Sequence, residues 1–204
     1  MNNCMLEIKN LCKNYYTKDR EILALDNINI KIDDNTITAI VGPSGCGKST
    51  LLNIIGGLDD KTTGEIIFRN NENRIGYMFQ TDALFPWLTV LDNCLIGLKV
   101  RNELTKDNIN YVKSLLNSYG LGEFINSYPS NLSGGMRQRV ALIRTLAVKP
   151  DILLLDEPFS ALDYNSKLTV TDDVYKIIKK EKKTTIIVTH DIGEAIYILR
   201  ATII

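Results

Sequence analysis

Residues 36–55, TITAIVGPSGCGKSTLLNII, constrain this chain more than any other stretch. Residues 36–41 form a short β-branched apolar run that reads as a buried strand. Gly42-Pro43-Ser44-Gly45-Cys46-Gly47 then interrupts strand and helix periodicity alike, because glycine tolerates positive φ. From Lys48 onward, Leu51, Leu52, Ile54 and Ile55 recur as the apolar face of a helix. Strand, glycine-rich loop and helix in this order point to an α/β fold.

The loop has the spacing G-x-x-x-x-G-K-[ST] of a phosphate-binding loop, or P-loop. Glycines let backbone N–H groups close around phosphate oxygens, and the helix N-terminus adds partial positive charge. Lys48 can reach β- and γ-phosphates, and the Ser49 hydroxyl can ligate Mg²⁺. A glycine-rich turn before an ordinary helix is the alternative. Motif, strand and helix agree against it, so the chain is read as binding a nucleoside triphosphate.

The 204 residues can bury a substantial core in one domain or two small ones. Lysine plus arginine and aspartate plus glutamate both number 24, so no basic excess advertises a nucleic-acid surface. Cys4, Cys12, Cys46 and Cys94 are scattered without a CxxC pair and read as reduced thiols of a cytoplasmic protein. The start, MNNCMLEIKN, has no signal-peptide pattern, and every apolar run stops well short of the ~20 residues a membrane span needs. A membrane role would therefore come through a partner.

Residues 5–11 and the run Leu25, Ile28, Ile30, Ile32 alternate and predict strands of an antiparallel layer. The polar residues 13–21 between them read as a loop holding Tyr15 and Tyr16, either of which could stack on a base. Gly56-Gly57 stops the helix, and Thr63-Gly64 reads as a turn. Residues 65–69 and 74–80 predict two strands around a polar turn at 70–73. Gln80, ending the second, could coordinate a metal or a water, or be a solvated loop residue. Helical spacing follows at 91–100, 105–119 and 123–128, a helical insertion rather than part of a parallel sheet.

Ser133 is placed to N-cap a helix running to about Leu146, with Gly134 and Gly135 baring N–H groups at a second anion site. The run Ile152-Leu153-Leu154-Leu155-Asp156-Glu157 reads as a buried parallel strand ending in two carboxylates, which alternation sends to opposite faces. Acids at the carboxyl end of such a strand lie where open α/β sheets bind ligands. Pro158 ends the strand, and a helix with Leu168, Val174 and Ile178 on one side follows the loop 160–163. Residues 184–189 predict another strand, beside the acidic one, that leads to His190, the only histidine.

With the P-loop, Gln80, Leu132-Ser133-Gly134-Gly135, the Asp156-Glu157 strand and His190 in this order, the chain resembles the ATP-binding subunit of an ABC transporter over nearly its whole length. The segment FPWLTVLDN at 85–93 and the form LSGGMRQRV are most similar to the nitrate/sulfonate/taurine importer branch. The resemblance implies a P-loop NTPase of ABC ATPase type: a core at 1–83 and 150–204 with an N-terminal antiparallel β layer, and a helical subdomain at 84–149. It implies that Gly42, Pro43, Ser44, Gly45, Cys46, Gly47, Lys48, Ser49 and Thr50 hold the triphosphate of ATP, with Ser49, Gln80 and Asp156 around Mg²⁺. Tyr15 matches the adenine-stacking aromatic, with Tyr16 the alternative; Glu157 matches the general base and His190 the switch residue at the γ-phosphate. Ser133, Gly134 and Gly135 would meet ATP held by a second subunit, and Asp163 would link the two sites.

The implied partners are a second copy or a paired ABC subunit, a transmembrane permease at the cytoplasmic face of the membrane and, indirectly, a periplasmic or lipoprotein solute-binding protein. No nucleic acid is expected. Two departures stand out: Met136 replaces the usual glutamine of the signature, and the chain stops at Ala201-Thr202-Ile203-Ile204 as if inside a strand, as in a fragment or a protein lacking the closing segment. A soluble ABC ATPase of DNA repair or translation is the rival reading, although its usual second cassette or long insertion is missing. A small-molecule P-loop kinase would not explain Ser133-Gly134-Gly135.

Overall fold

The computed structural model describes residues 3–18, 20–70, 73–160, 162 and 164–198. In chain order the strands are β1 (Cys4–Tyr16), β2 (Glu21–Asp33), β3 (Ile37–Val41), β4 (Thr63–Phe68), β5 (Ile75–Met78), β6 (Ile152–Asp156) and β7 (Thr184–Thr189). The helices are α1 (Lys48–Ile55), α2 (Val90–Val100), α3 (Lys106–Ser118), α4 (Gly134–Ala147), α5 (Tyr164–Glu181) and α6 (Ile192–Ile198). Four strands form a parallel sheet in the order β3-β7-β6-β5, and three form an antiparallel sheet in the order β2-β1-β4.

The acidic strand sits inside the parallel sheet because nothing in it needs water before Asp156. Leu153 and Leu155 pack into a core shared with α2–α5, whereas Ile152 and Leu154 pack into a second core with α1 and the antiparallel layer. Alternation along β6 therefore aims Asp156, in step with Ile152 and Leu154, at the α1 side. β7 lies between β3 and β6, as expected of the strand that leads to His190.

Several local expectations are corrected. Residues 13–16 are strand rather than loop: Lys13 pairs with Leu25 and Tyr15 with Ile22, so cross-strand bonding extends β1 to Tyr16, just beyond which the Thr17 N–H donates to the Arg20 carbonyl. Thr63-Gly64 lies within β4 instead of turning the chain. Gly64, at φ +92°, fits against β1 so closely that a Cβ there would come within 2.5 Å of the Asn10 carbonyl oxygen. The strands flanking 70–73 belong to different sheets, and residues 71 and 72 of that turn lie outside the described residues.

Within residues 84–149 the described elements are helices and short helical turns. Thr89, Thr105 and Ser133 cap α2, α3 and α4 by accepting from the N–H of Asp92, Asn108 and Met136. The helix expected at 123–128 is reduced to a single turn at Gly122–Phe124. The carbonyls of Ile125 and Ser127 instead accept the free N–H groups of Leu91 and Val90 at the start of α2, which draws the segment out of helical geometry. On α5, Val174 and Ile178 are buried as expected, while the side chain of Leu168 and the strand expected at 201–204 lie outside the described residues.

Candidate functional site

The glycine-rich loop closes between β3 and α1. Gly47 caps α1 at φ 100°, and a Cβ at this position would come within 2.5 Å of the Ala24 carbonyl oxygen. No side chain caps α1 and no acid sits in its first turn, so its N–H groups and positive dipole end face the loop. The buried Lys48 ammonium donates to the carbonyls of Gly42 (2.8 Å) and Pro43 (2.9 Å), curling the loop around it. Gly42 donates to the Thr189 carbonyl, and Cys46 to that of Pro43, at 3.3 Å each.

The loop opens onto a cavity of about 530 Å³ lined by Ser44, Gly45, Cys46, Gly47, Lys48, Ser49 and Thr50, by Gln80 and Glu157, and by Tyr15, Ile22, Leu23 and Ala24. The three β2 residues escaped sequence reading, since only the hairpin register, with Ile22 opposite Tyr15 and Leu23 opposite Asn14, brings that strand to the cavity.

Asp156 and Ser49 meet across 107 positions of sequence, with Ser49 Oγ donating to Asp156 Oδ1 at 2.9 Å. The Tyr77 hydroxyl lies 2.8 Å from Asn53 Oδ1 and 3.3 Å from Asp156 Oδ2. Burial pushes the Asp156 carboxyl above its ordinary range, against the Ser49 and Tyr77 hydrogen bonds that favour the ionised form. Burial and the neighbouring Asp156 likewise raise the Tyr77 hydroxyl, which stays protonated. Neither Tyr77 nor Asn53 was singled out from sequence. Asn53 carried a signal: it stands four residues after Ser49, on the same face of α1.

Glu157 does not point to the face opposite Asp156. It lies just past β6 at φ 42°, a left-handed conformation that costs a non-glycine residue of order 1–3 kcal/mol and concentrates at functional sites. That turn brings Oε1 to 3.8 Å from Lys48 Nζ and Oε2 to 3.1 Å from His190 Nδ1. Gln80 Nε2 donates to the same Oε2 at 3.4 Å. The loops after β5, β6 and β7 thus converge on one carboxylate, at the carboxyl ends of three adjacent parallel strands.

Gln80 lies two residues beyond β5 rather than ending it. Its segment is fastened to α4: Arg144 donates to the carbonyls of Asp82 and Ala83 (2.7 Å each), and Arg137 pairs with the Asp82 carboxylate at 2.9 Å. Sequence reading missed both arginines as site residues.

Tyr15 lines the cavity, whereas Tyr16, its neighbour on the other face of β1, is 72% exposed and does not. Ser133, Gly134 and Gly135 open α4 but are not among the residues lining this cavity. Asp163 lies outside the described residues.

The chain matches the family described as ABC transporter over residues 25–160. It is 43% identical, over 94% of its length and 75% of the relative's, to the uncharacterized ABC transporter ATP-binding protein YtlC of Bacillus subtilis (strain 168). It is 41% identical to the aliphatic sulfonates import ATP-binding protein SsuB of Bacillus cereus (strain ATCC 10987 / NRS 248), over 98% of this chain and 80% of that one. Among solved structures it is similar to the dimeric post-hydrolysis state of the ATP-binding cassette MJ0796 bound to ADP and Pi, with TM-score 0.79 and 36% identity over 94% of this chain and 90% of that one.

Proposed function

The chain belongs to the ABC transporter family as an ATP-binding, ATP-hydrolysing subunit, and from this we propose that it powers import of a small solute through a separate permease. The observation that carries the catalytic part is the meeting of Lys48, Gln80 and His190 on Glu157, which lines the phosphate-loop cavity. In this reading the loop 42–50 and the α1 N-terminus hold the triphosphate of ATP, and Lys48 stabilises charge on the transferring γ-phosphoryl. Glu157 takes the proton of the attacking water, and His190 and Gln80 hold that carboxylate in place. Tyr15 stacks on adenine.

Ser49 Oγ and Asp156 Oδ1, 2.9 Å apart, are hard oxygen donors of the kind Mg²⁺ takes together with phosphate and water oxygens. Among the described residues no group of three or more His, Cys, Asp or Glu could hold a metal, so Mg²⁺ fits here only with phosphate and water as further ligands. With Gln80 nearby, these residues would hold the ion, whose charge neutralises the β- and γ-oxygens when bound.

Two copies, or this chain and a paired ABC subunit, would enclose two ATP molecules, with Ser133 and Gly135 of each meeting the γ-phosphate held by the other and Asp163 linking the sites. We take residues 84–149 as the helical subdomain that contacts the permease. The SsuB relative supports a nitrate-, sulfonate- or taurine-like solute delivered by a binding protein. Among the described residues no helix is long and apolar enough to cross a membrane, so membrane attachment at the cytoplasmic face falls to the permease.

The contact surface is built by Asn93, which is fully buried and clasps the preceding loop through the carbonyls of Phe85, Leu88 and Thr89. That loop presents Trp87, 70% exposed, with Phe85 at 5.5 Å between ring centres. Trp87→Ala is expected to uncouple transport or assembly and to spare intrinsic ATPase activity, because exposed aromatics of this kind anchor interfaces. Assembly and transport at wild-type levels would remove Trp87 from the interface. For the function as a whole, affinity purification from solubilised membranes should retain an integral membrane protein; purification without one would favour the soluble ABC ATPase.

Cys46 offers a direct probe of the cavity. It is exposed and lines the cavity, whereas Cys4 and Cys12 are half-buried and Cys94 is buried. A maleimide should modify Cys46 first and inactivate the protein, and MgATP should slow both. Equal rates with and without nucleotide would place ATP elsewhere.

A further inference from the structure

Tyr15 does not hang freely at the rim of the cavity. Its hydroxyl donates to Asp59 Oδ2 at 2.6 Å, and Lys13 Nζ lies 2.7 Å from Asp59 Oδ1 and 4.7 Å from the centre of the Tyr15 ring. Lys13 is buried, stands two residues before Tyr15 on the same face of β1, and does not line the cavity. Its ammonium therefore backs the ring instead of filling the space beside it. The ammonium also donates to the Asp60 carbonyl, and the Asp60 N–H to Asp59 Oδ1 at 2.8 Å.

This cluster reaches the phosphate end of the site. The N–H groups of Leu58 and Asp59 donate to the Asn53 carbonyl in the last turn of α1, whose first turn carries Lys48 and Ser49. Thr62 continues the attachment, bonding Cys12 and Asn14 of β1.

We infer that Asp59 and Lys13 are positioning residues for the nucleobase: they hold the Tyr15 ring at a fixed orientation and distance from the phosphate loop, so that a base can stack on its free face. The inference rests on the reading of Tyr15 as the adenine-stacking residue. Lys13 and then Tyr15 hold the Asp59 carboxyl below its usual range, so it is ionised at neutral pH and available to both. Without Asp59, a tyrosine at a strand end must give up its side-chain freedom when the base binds, which weakens binding about 2- to 12-fold. In this reading the phosphates are held by the loop 42–50 and not by the ring, so an unmodified triphosphate chain should not register the loss.

The test is a binding comparison on the full chain, with MgATP and with inorganic tripolyphosphate plus Mg²⁺. Tyr15→Ala should weaken ATP about 5- to 150-fold, the loss of one base–aromatic stack, and leave tripolyphosphate unchanged. Asp59→Ala and Lys13→Met should each weaken ATP about 2- to 12-fold with tripolyphosphate again unchanged, and should add nothing in the Tyr15→Ala background. Tyr15→Phe removes the hydroxyl that Asp59 anchors, together with its smaller interaction with Thr50, and should weaken ATP at least as much as Asp59→Ala, which covers the case in which the aspartate variant misfolds.

If Tyr15→Ala discriminates against ATP but Asp59→Ala and Tyr15→Phe do not, the positioning role is wrong and the stacking role survives. An Asp59→Ala effect equal on both ligands, or additive with Tyr15→Ala, also overturns it by making Asp59 a scaffold of the loop. If Tyr15→Ala treats both ligands alike, Tyr15 is not the stacking residue, and the inference falls with that reading.

Discussion

With Glu157 replaced by glutamine, ATP hydrolysis is expected to fall about 10²–10⁴-fold while ATP remains bound, because that is the usual contribution of a general base. The geometry makes this substitution conservative in every respect but one. Glutamine keeps the length that reaches His190 Nδ1 (3.1 Å) and Gln80 (3.4 Å), and a non-glycine residue already occupies this backbone at φ 42°. The negative charge 3.8 Å from Lys48, and the capacity to take a proton, are what disappear. Lys48, Ser49 and Asp156 stay in place to hold nucleotide. If unhydrolysed ATP bridges the P-loop of one copy and Ser133–Gly135 of another, mass action favours the closed pair. The variant should then elute as a dimer with MgATP and as a monomer without it. Normal turnover by a folded, ATP-binding variant would show that Glu157 is not the base; a variant that never dimerises would count against the two-copy arrangement.

Lys48→Ala is expected to abolish ATPase activity and to weaken ATP binding about 10- to 150-fold, the equivalent of one charge-assisted hydrogen bond of roughly 1.5–3 kcal/mol. A second consequence follows from where the ammonium sits. It is bonded to the carbonyls of Gly42 and Pro43, so the substitution also removes two bonds that shape the loop. Some loss of stability should therefore accompany the loss of binding, and urea unfolding measures it independently of nucleotide. The fold should survive, since α1 is anchored by Leu51, Leu52, Ile54 and Ile55 in the core. Near-normal turnover in a folded variant would remove the phosphate loop from the mechanism.

Sequence alone determined those features whose interactions are short in range. The strand, loop and helix around Gly42–Lys48 lie within twenty residues, and each has its own local signature: an apolar run, glycines, an amphipathic face. The Ser133 cap of α4 was legible for the same reason, because its partner is three residues away. The burial of β6 was legible because only a strand covered on both faces carries four consecutive aliphatic residues. Those features determined the fold class and the phosphate-loop part of the candidate site.

Tertiary structure decided the remainder, where partners are distant in sequence. Period-two alternation sends Asp156 and Glu157 to opposite faces, but a left-handed backbone at the strand end turns Glu157 toward Lys48 and the cavity, while Asp156 holds Ser49, which lines it. Tyr15 and Tyr16 are indistinguishable as adjacent tyrosines; the hairpin register with Ile22 and a hydrogen bond to Asp59, 44 positions away, select Tyr15 for the cavity. Gln80 reads alone as a solvated residue, and the carbonyls following it are held by Arg144, 61 and 62 positions on. The helix expected at 123–128 lost its carbonyls to the start of α2. A local helical preference is worth about a kilocalorie per mole or less, so one well-placed long-range hydrogen bond is enough to reverse it, while the more costly backbone of Glu157 is held by Lys48, Gln80 and His190 together.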